Sequence, residues 1–270
     1  MSNNNTAPIA VFDSGVGGLS VLRAIQQQFP GEDILFLADQ AHVPYGSRSL
    51  EEVRQFSEEI TRYFLAQGAK LIVVACNTAS AAALYHLREV FPQIPFVGME
   101  PAVKPAAEHT LSGIVGVLAT PATFQGELYN SVVERFADGV SLMQDTCVGL
   151  VEQIEAGNLD GGESRRILET ALSPMLSAGI DTVVLGCTHY PFVIPLIQEI
   201  VGPDVRVIDP APAIARQVGR LLEHHALMRA RPDGGTTRYL TTGREAALRD
   251  FLKRIGVSED VQRVTWGKEL

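Results

Sequence analysis

The chain has 270 residues, enough for two compact domains or for one large α/β unit, and 46% of them are hydrophobic. Charged residues make up 20%, so the composition excludes a disordered chain and allows sizeable hydrophobic cores. The 22 basic residues are outnumbered by 31 acidic ones, and the net charge of −9 comes without any run of Lys or Arg. Non-specific binding to nucleic acid or to an acidic membrane surface is therefore disfavoured.

No apolar stretch approaches the roughly 20 residues that a membrane-spanning helix needs. The segment Met1–Pro8 lacks the basic and apolar regions of a signal peptide. We therefore expect a cytoplasmic protein with neither a membrane nor a nucleic acid as partner. Its three cysteines, an odd number, are then expected to be free thiols and not a disulfide framework.

Short apolar runs alternate with helical patterns along the chain. The runs with the composition of strands buried on both faces of a parallel sheet are Ile9–Phe12, Ile34–Leu37, Leu71–Ala75, Phe96–Met99, Ile114–Ala119, Thr182–Leu185 and Val205–Ile208. The helical patterns between them are Leu50–Leu65, Ala79–Val90, Pro121–Phe136, Ser164–Leu176 and Ala213–Leu227. This alternation predicts an α/β fold with mainly parallel sheets flanked by helices, and ligands at the carboxyl ends of the strands.

Two of the predicted strand ends resemble each other. Residues 73–78 and 184–189 are each an apolar strand that runs into a cysteine and then into hydroxyl or amide residues. Joints between strands and helices share such features in many α/β proteins, so coincidence is the alternative to an internal repeat. A repeat predicts two similar domains, residues 1–97 with 208–270 carrying Cys76 and residues 98–207 carrying Cys187. The active site would then lie in the cleft between the domains.

Both cysteines occupy positions that suit reactive thiols. Cys76 precedes a helix expected to begin near residues 78–80, with Asn77 or Thr78 as its N-cap, and a helix N-terminus favours the thiolate. Cys187 is followed by His189, which can exchange a proton with it, at the start of another helical turn. A single free cysteine is usually a buried small hydrophobe, but two at matched strand ends favour chemistry. Cys147 has no polar motif around it, and we expect a structural role for it.

A glycine-rich loop, Asp13-Ser14-Gly15-Val16-Gly17-Gly18, follows the first predicted strand. Its glycine spacing is not that of a dinucleotide-binding loop, and a carboxylate at Asp13 would repel phosphate. A carboxylate beside backbone N–H groups suits a zwitterion, with the amine near Asp13 and the carboxylate on the N–H and hydroxyl groups. The alternative is a tight turn in which Asp13 caps the following helix.

Other motifs are weak by themselves. Pro44-Tyr45-Gly46 indicates a turn, and Glu152 opens a helical stretch ending near Gly157, where a solvated face is the simplest interpretation. The six histidines show no metal-ligand spacing, so no metal is expected. No Gly-x-Ser-x-Gly elbow supports serine hydrolase chemistry.

Taken together, the motifs resemble those of the glutamate racemase family, cofactor-independent members of the aspartate/glutamate racemase superfamily. The match is carried by residues 12–19, 44–46, 75–80 and 186–191, in the order and spacing of the family, and it extends to residues 239–243. The resemblance implies two α/β domains with the second inserted in the first, homodimers, and production of D-glutamate for peptidoglycan. Some members have an N-terminal extension linked to activation by a cell-wall precursor, and such regulation is not expected here.

Carried over to this chain, the resemblance implies that Cys76 and Cys187 are the two acid/base residues. The residues implied to assist them are Asp13, His189 and Glu152. The substrate would be bound by Asp13, Ser14, Tyr45, Gly46, Asn77, Thr78, Thr188 and His189. Racemisation without a cofactor needs one proton carrier on each face of the α-carbon, which a cleft between two domains can supply. Pyridoxal phosphate would need a Schiff-base lysine and a phosphate site, and no position indicates either.

Three alternatives remain open. A related racemase acting on aspartate or another amino acid would share these motifs, because side-chain spacing does not give the size of the pocket. A non-catalytic amino-acid binding protein would use the same cleft but would need neither cysteine. A thiol redox protein would be expected to carry a Cys-x-x-Cys motif, which is missing.

Overall fold

Ten strands and eleven α-helices are found in residues 4–230 and 233–265, which the computed structural model describes. The strands are β1 (Ile9–Asp13), β2 (Ile34–Ala38), β3 (Leu71–Val74), β4 (Phe96–Gly98), β5 (Ile114–Ala119), β6 (Ser141–Asp145), β7 (Thr182–Gly186), β8 (Arg206–Ile208), β9 (Thr237–Thr241) and β10 (Val261–Arg263). The helices are α1 (Leu19–Gln28), α2 (Leu50–Ala66), α3 (Asn77–Val90), α4 (Val103–His109), α5 (Pro121–Gln125), α6 (Glu127–Phe136), α7 (Leu150–Glu155), α8 (Gly162–Ser177), α9 (Ile194–Val201), α10 (Ala211–His224) and α11 (Glu245–Arg254).

The strands form two sheets, and every ladder between the described strands is parallel. One sheet has the order β10-β9-β2-β1-β3-β4, and we call it the Cys76 sheet because Cys76 follows β3. The other has the order β6-β5-β7-β8, and we call it the Cys187 sheet because Cys187 follows β7. The predicted α/β class with mainly parallel sheets is confirmed.

The two sheets share one strand order. In both, the first strand in sequence lies between the second and the third, and the fourth pairs with the third. Each cysteine therefore follows the third strand of its set, as expected of a repeat. Because a parallel sheet aligns the carboxyl ends of its strands, residues 13–14 and 76–78 meet at one edge, as do residues 119–120 and 187–189.

Strand burial explains which strands the sequence predicts. All residues of β1, β2, β3 and β7 are buried, since helices cover both faces of each sheet, and all four match apolar runs. The unpredicted strands lie towards the edges: β6 is half exposed and polar, β9 begins with Thr237 and Arg238, and β10 has three residues. These segments are strands because of the ladders they form with neighbouring strands, and their amino-acid composition does not predict it.

One predicted helix is two helices. The pattern over residues 121–136 breaks at Gly126, whose backbone is extended between α5 and α6. A Cβ at Gly126 would lie 2.5 Å from the Cβ of Ala81 on α3, so this glycine allows close contact between the helices of the two sheets. The break brings α5 against the helix that follows Cys76.

The chain passes between the sheets twice, after β4 and after β8. Domain boundaries at residues 97 and 207 stay a prediction. Within the described residues no helix is both long enough and apolar enough to cross a membrane. Residues 1–3 of the segment Met1–Pro8 lie outside the described part of the chain.

Candidate active site

A narrow cavity of about 20 Å³ lies between the carboxyl ends of the two sheets, and both cysteines line it. We call it the two-thiol cavity. Its lining consists of Ser14, Pro44, Tyr45, Gly46, Cys76, Asn77, Thr78, Thr120, Val151, Cys187, Thr188 and His189. The structure thus brings together all the residues proposed from the sequence except Asp13, which lies beside the cavity, and Glu152.

Cys76 lies where β3 passes into α3. The backbone N–H of Ala79 donates to Cys76 Sγ at 3.5 Å, so the cysteine itself is the N-cap and the expected caps, Asn77 and Thr78, are already helical. Burial and the neighbouring Asp13 carboxylate raise the pKa of the Cys76 thiol well above its ordinary value. The Ala79 N–H at the helix N-terminus lowers this pKa, as expected, but burial and the Asp13 carboxylate outweigh it. The thiol proton points to Ser14 Oγ, at 3.9 Å.

Asp13 ends β1 and is fully buried. Its Oδ2 accepts the N–H of Gly18 at 2.8 Å, as expected of a turn-capping carboxylate, and its Oδ1 accepts the hydroxyl of Thr188 at 3.3 Å. Burial raises the pKa of Asp13, although His189 and the Gly18 N–H act in the opposite direction. Asp13 therefore touches residues of both sheets, and its charge acts on Cys76 and His189.

Cys187 lies beside a histidine that is itself hydrogen-bonded to a glutamate. His189 Nδ1 lies 3.8 Å from Cys187 Sγ, and His189 Nε2 lies 2.6 Å from Glu155 Oε1. Burial favours the neutral imidazole, but the bonds to Cys187 and Glu155 outweigh it and raise the pKa of His189 well above its ordinary value. An imidazolium donates from both nitrogens and places a positive charge beside the sulfur.

Glu155, and not Glu152, is the carboxylate of this site. Glu152 is exposed and lines a neighbouring cavity of about 140 Å³ with Cys147, whereas Glu155 is the last residue of α7 and contacts His189. Burial would raise the pKa of Glu155, but His189, the Val16 N–H and the Gln40 amide hold it below its ordinary value.

A helical-wheel signal in the sequence could have distinguished the two glutamates. Leu150 and Ile154 define the apolar face of α7, and at 100° per residue Glu152 points away from that face while Glu155 lies nearer to it.

The side-chain amide of Asn77 lies in the cavity wall without a hydrogen-bond partner among the described residues. Asn77 is buried, and neither its Nδ2 nor its Oδ1 has a hydrogen bond with any described residue. Buried amides are almost always paired, so this amide is placed for a ligand.

Beside Asn77, Thr78 Oγ1 and Thr120 Oγ1 lie 2.8 Å apart and join the two sheets. Thr120 follows β5 as Ser14 follows β1, and this equivalence is the signal in the sequence that could have indicated a binding role for Thr120.

The loop after β2 closes one side of the cavity. Tyr45 is buried and donates its hydroxyl to Asp39 at 2.5 Å, and Asp39 also accepts the hydroxyl of Thr242 at 2.6 Å. A Cβ at Gly46 would lie 3.0 Å from the Cβ of Thr120. Because glycine has no side chain, the backbone of this loop can pack directly against Thr120. The loop is therefore tied to the end of β9 as well as to β2.

The arrangement suits proton transfer at one carbon from two sides. One thiol comes from each sheet, and hydroxyl and amide groups surround the space between them. These groups can bind a carboxylate through neutral donors, since no Lys or Arg is among the described lining residues. In the described part of the chain, no group of three or more His, Cys, Asp or Glu side chains is placed to hold a metal ion.

The chain matches known proteins over nearly its whole length. The family model for Asp/Glu/Hydantoin racemase matches residues 9–218. The glutamate racemase of Roseiflexus sp. (strain RS-1) is 49% identical over 261 residues, 96% of each chain. A crystal structure of a Bacillus anthracis glutamate racemase isoform has a TM-score of 0.86 at 32% identity and covers 97% of this chain and 98% of that one. An Escherichia coli glutamate racemase in complex with L-glutamate and the activator UDP-MurNAc-ala has a TM-score of 0.84 at 33% identity, covering 96% and 98%.

Proposed function

Since this chain belongs to the Asp/Glu/hydantoin racemase family, we propose that it is a glutamate racemase, an isomerase that interconverts L- and D-glutamate. The observation that carries the proposal is the pair of cysteines, one from each sheet, on a single cavity. The 49% identity to a glutamate racemase over 96% of both chains supports glutamate over aspartate as the substrate.

The chemistry is a proton transfer across the α-carbon. One cysteine, as thiolate, takes the α-proton from one face, and the other, as thiol, gives its proton to the opposite face. Burial and the Asp13 carboxylate favour the thiol form of Cys76, and His189 Nδ1 lies 3.8 Å from Cys187 Sγ, where it can exchange a proton with that thiol. The product enantiomer reverses the roles of the two cysteines.

Neutral donors stabilise the charge that develops on the substrate. As the α-proton leaves, negative charge moves onto the α-carboxylate, which hydrogen-bond donors fixed in a buried site stabilise well. We assign this role to Asn77, whose amide is unpaired, with Thr78, Thr120 and Thr188. We assign the side-chain carboxylate to Ser14 and to the backbone of Tyr45 and Gly46.

Asp13 and Glu155 serve the two thiols indirectly. The Asp13 carboxylate acts on Cys76, and we assign the substrate amine to it as well, while Glu155 contacts His189, which in turn lies against Cys187. Asp13 is fully buried and the Glu155 side chain is only 13% exposed, so each acts at short range.

We further propose that the enzyme works in the cytoplasm as a homodimer and supplies D-glutamate for peptidoglycan. The support is the family membership and, for the dimer, the homodimers that the resemblance implies. Light scattering during size exclusion would give twice the chain mass for a dimer, and a single chain mass would contradict it.

The deciding experiment is circular dichroism of L-glutamate, and separately of D-glutamate, with pure protein and no added cofactor. We expect both signals to decay to zero, and the double variant Cys76→Ser/Cys187→Ser to leave them unchanged. Decay with aspartate but not glutamate would assign the chain to the alternative racemase. Glutamate binding by calorimetry without any decay would identify a binding protein.

A further inference from the structure

The Glu155 carboxylate is also held by a residue of the opposite sheet that the mechanism above does not use. Gln40 follows β2 of the Cys76 sheet, and its Nε2 donates to Glu155 Oε2 at 3.2 Å. The other oxygen, Oε1, accepts both His189 Nε2 at 2.6 Å and the Val16 N–H at 2.7 Å. The two oxygens of Glu155 therefore have different partners, and only Gln40 occupies Oε2 among the described hydrogen bonds.

The orientation of the Gln40 amide is fixed by its own neighbours. Gly243 N–H donates to Thr241 Oγ1 at 3.0 Å, so the hydroxyl proton of Thr241 is directed to Gln40 Oε1, also at 3.0 Å. A side-chain amide whose oxygen accepts this proton presents its nitrogen to the other side, where Glu155 lies. A Cβ on Gly243 would lie 2.7 Å from the Cβ of Gln40, so this close contact also requires glycine.

The result is a continuous series of hydrogen bonds from the end of β9 to Cys187, in which the Glu155 carboxylate accepts from both sides. It runs from the Gly243 N–H through the side chains of Thr241, Gln40, Glu155 and His189 to Cys187, and it crosses from one sheet to the other between Gln40 and Glu155. Thr241 is fully buried and Gln40 half-buried, so water competes little for these bonds.

We propose that Gln40 is a positioning residue, which fixes the rotation of the Glu155 carboxylate and so keeps His189 aligned on Cys187. This inference rests on the proposed function, because it concerns Cys187, one of the two proposed proton carriers. Without the Gln40 amide, the carboxylate can turn about its terminal bond, and the His189 ring loses a fixed partner. Cys76 has no part in this hydrogen-bond chain, so the support given to the two thiols is unequal.

Among the described residues, the titratable groups that act on the Glu155–His189 pair are Cys187 and Asp13. No described hydrogen bond joins Gln40 to either group, so a shift in pH dependence in Gln40→Leu reports on the pair. Loss of the Gln40 donor raises the pKa of Glu155, and a weaker Glu155 partner lowers the pKa of His189. The pH range over which the ion pair exists then narrows from both sides.

The test compares Gln40→Leu and Gln40→Glu with Gln26→Leu. Gln26 is a matched control, because its Nε2 donates to Thr237 Oγ1 at 2.9 Å at the other end of β9, away from the cavity. For Gln40→Leu we expect kcat/KM to fall about tenfold at neutral pH, as for a lost hydrogen bond to a charged group, with a narrower pH profile. For Gln40→Glu we expect a larger loss that is partly recovered at low pH, when the introduced carboxyl is protonated and can donate. Gln26→Leu should keep the wild-type profile.

Melting temperatures of all three variants show whether each is folded. A folded Gln40→Leu with the wild-type pH profile would overturn the proposal, as would the same profile change in Gln26→Leu. If Gln40→Leu is unfolded, Gln40→Glu decides by the same criteria. Absence of glutamate racemisation in the wild type would overturn the proposed function, and the positioning role with it, whereas an active wild type isolates the role of Gln40.

Discussion

Cys76 and Cys187 occupy equivalent strand ends, yet their neighbours differ. Cys76 has a backbone N–H, the Ser14 hydroxyl and a carboxylate nearby, and Cys187 has an imidazole. A racemase treats both enantiomers with one site, so two unlike thiols must perform the same task from opposite faces. This difference should become visible when the two half-reactions are separated.

Replacement of either cysteine separates the two half-reactions, proton removal from L-glutamate and from D-glutamate. We expect Cys76→Ser and Cys187→Ser each to lose glutamate racemisation by at least about 100-fold, the usual effect of losing a general base. With a 3-chloroglutamate analogue, which loses chloride after proton removal, each variant should retain elimination from a different enantiomer. From the family resemblance we expect Cys76 to act on D-glutamate and Cys187 on L-glutamate. Chloride release measures this, and elimination from the same enantiomer by both variants would contradict the assignment of one thiol to each face.

The two glutamates of α7 give a second prediction. Glu155→Gln should lower kcat/KM by about 10- to 100-fold, the size expected when a buried charged pair loses one charge. Because the Glu155 carboxylate raises the pKa of His189, its loss should make activity fall at a lower pH on the alkaline side. Glu152→Gln is the control, since Glu152 is exposed, and its pH–rate profile should match the wild type. An equal effect of both changes would show that the contact with His189 has no role.

At this scale the sequence predicted most of the cavity lining and missed what supports it. Cys76, Thr188 and their neighbours directly follow strands, so local pattern and family resemblance located them. Gln40 and Thr120 contact residues of the opposite sheet, and Glu155 contacts His189, 34 residues further along the chain. A sequence carries no local sign of these pairings. Glu152 was chosen in place of Glu155 because one helical turn separates two identical residues.

The same distinction holds for whole elements. Strands buried on both faces, such as β1 and β3, are apolar throughout and were predicted within one residue of their ends. The edge strand β6 is not apolar throughout and was not predicted, because its stability comes from the ladder with β5. The break at Gly126 likewise depends on Ala81, a residue on another helix.

A buried ion pair joins the amino ends of two strands. Lys70 precedes β3 and Glu32 precedes β2, their side chains are 0% and 2% exposed, and Lys70 Nζ lies 2.5 Å from Glu32 Oε2. Glu32 Oε1 also accepts the N–H of Arg229 at 2.8 Å. The pair lies at the edge of the Cys76 sheet opposite the two-thiol cavity.

Lys70→Met should destabilise the protein by about 3–5 kcal/mol, because it leaves the Glu32 carboxylate buried without its counter-charge. The control is Lys104→Met, which removes a half-exposed partner 3.9 Å from Glu108 and should cost less than about 1 kcal/mol. Urea unfolding followed by circular dichroism measures both. Equal midpoints for the two variants would contradict the importance of the buried pair, and racemisation below the unfolding range should be unaffected in both.

At the scale of the molecule, the two sheets meet too closely to admit the proposed substrate. The two-thiol cavity, at about 20 Å³, has room for about one water molecule. Hydrogen bonds cross it between Thr78 and Thr120 and between Thr188 and Asp13. We therefore expect the sheets to move apart when glutamate enters, and glutamate to replace these contacts with its own.

A ligand that bridges both sheets should stabilise the whole molecule. In the inactive double variant Cys76→Ser/Cys187→Ser, L- and D-glutamate at about 100 times Kd should each raise Tm by about 5–10 °C, as expected for ligand linkage. Scanning fluorimetry measures the shift, with aspartate as the control, for which a smaller rise is expected at the same concentration. A rise with one enantiomer only would show that the site is not shared by both.

The place of β9 in the Cys76 sheet affects how the newly made chain is completed. β9 pairs with β2, Ile34 opposite Thr237, so the whole Cys187 sheet is synthesised between these two partners. The Cys187 sheet is continuous in sequence and can assemble as soon as it leaves the ribosome. Until Thr237–Thr241 follows, the apolar edge of β2 is open to pairing with other chains, as an unprotected strand edge is. The sheet begun first is thus finished last, and the edge of β2 stays open to aggregation until β9 is made.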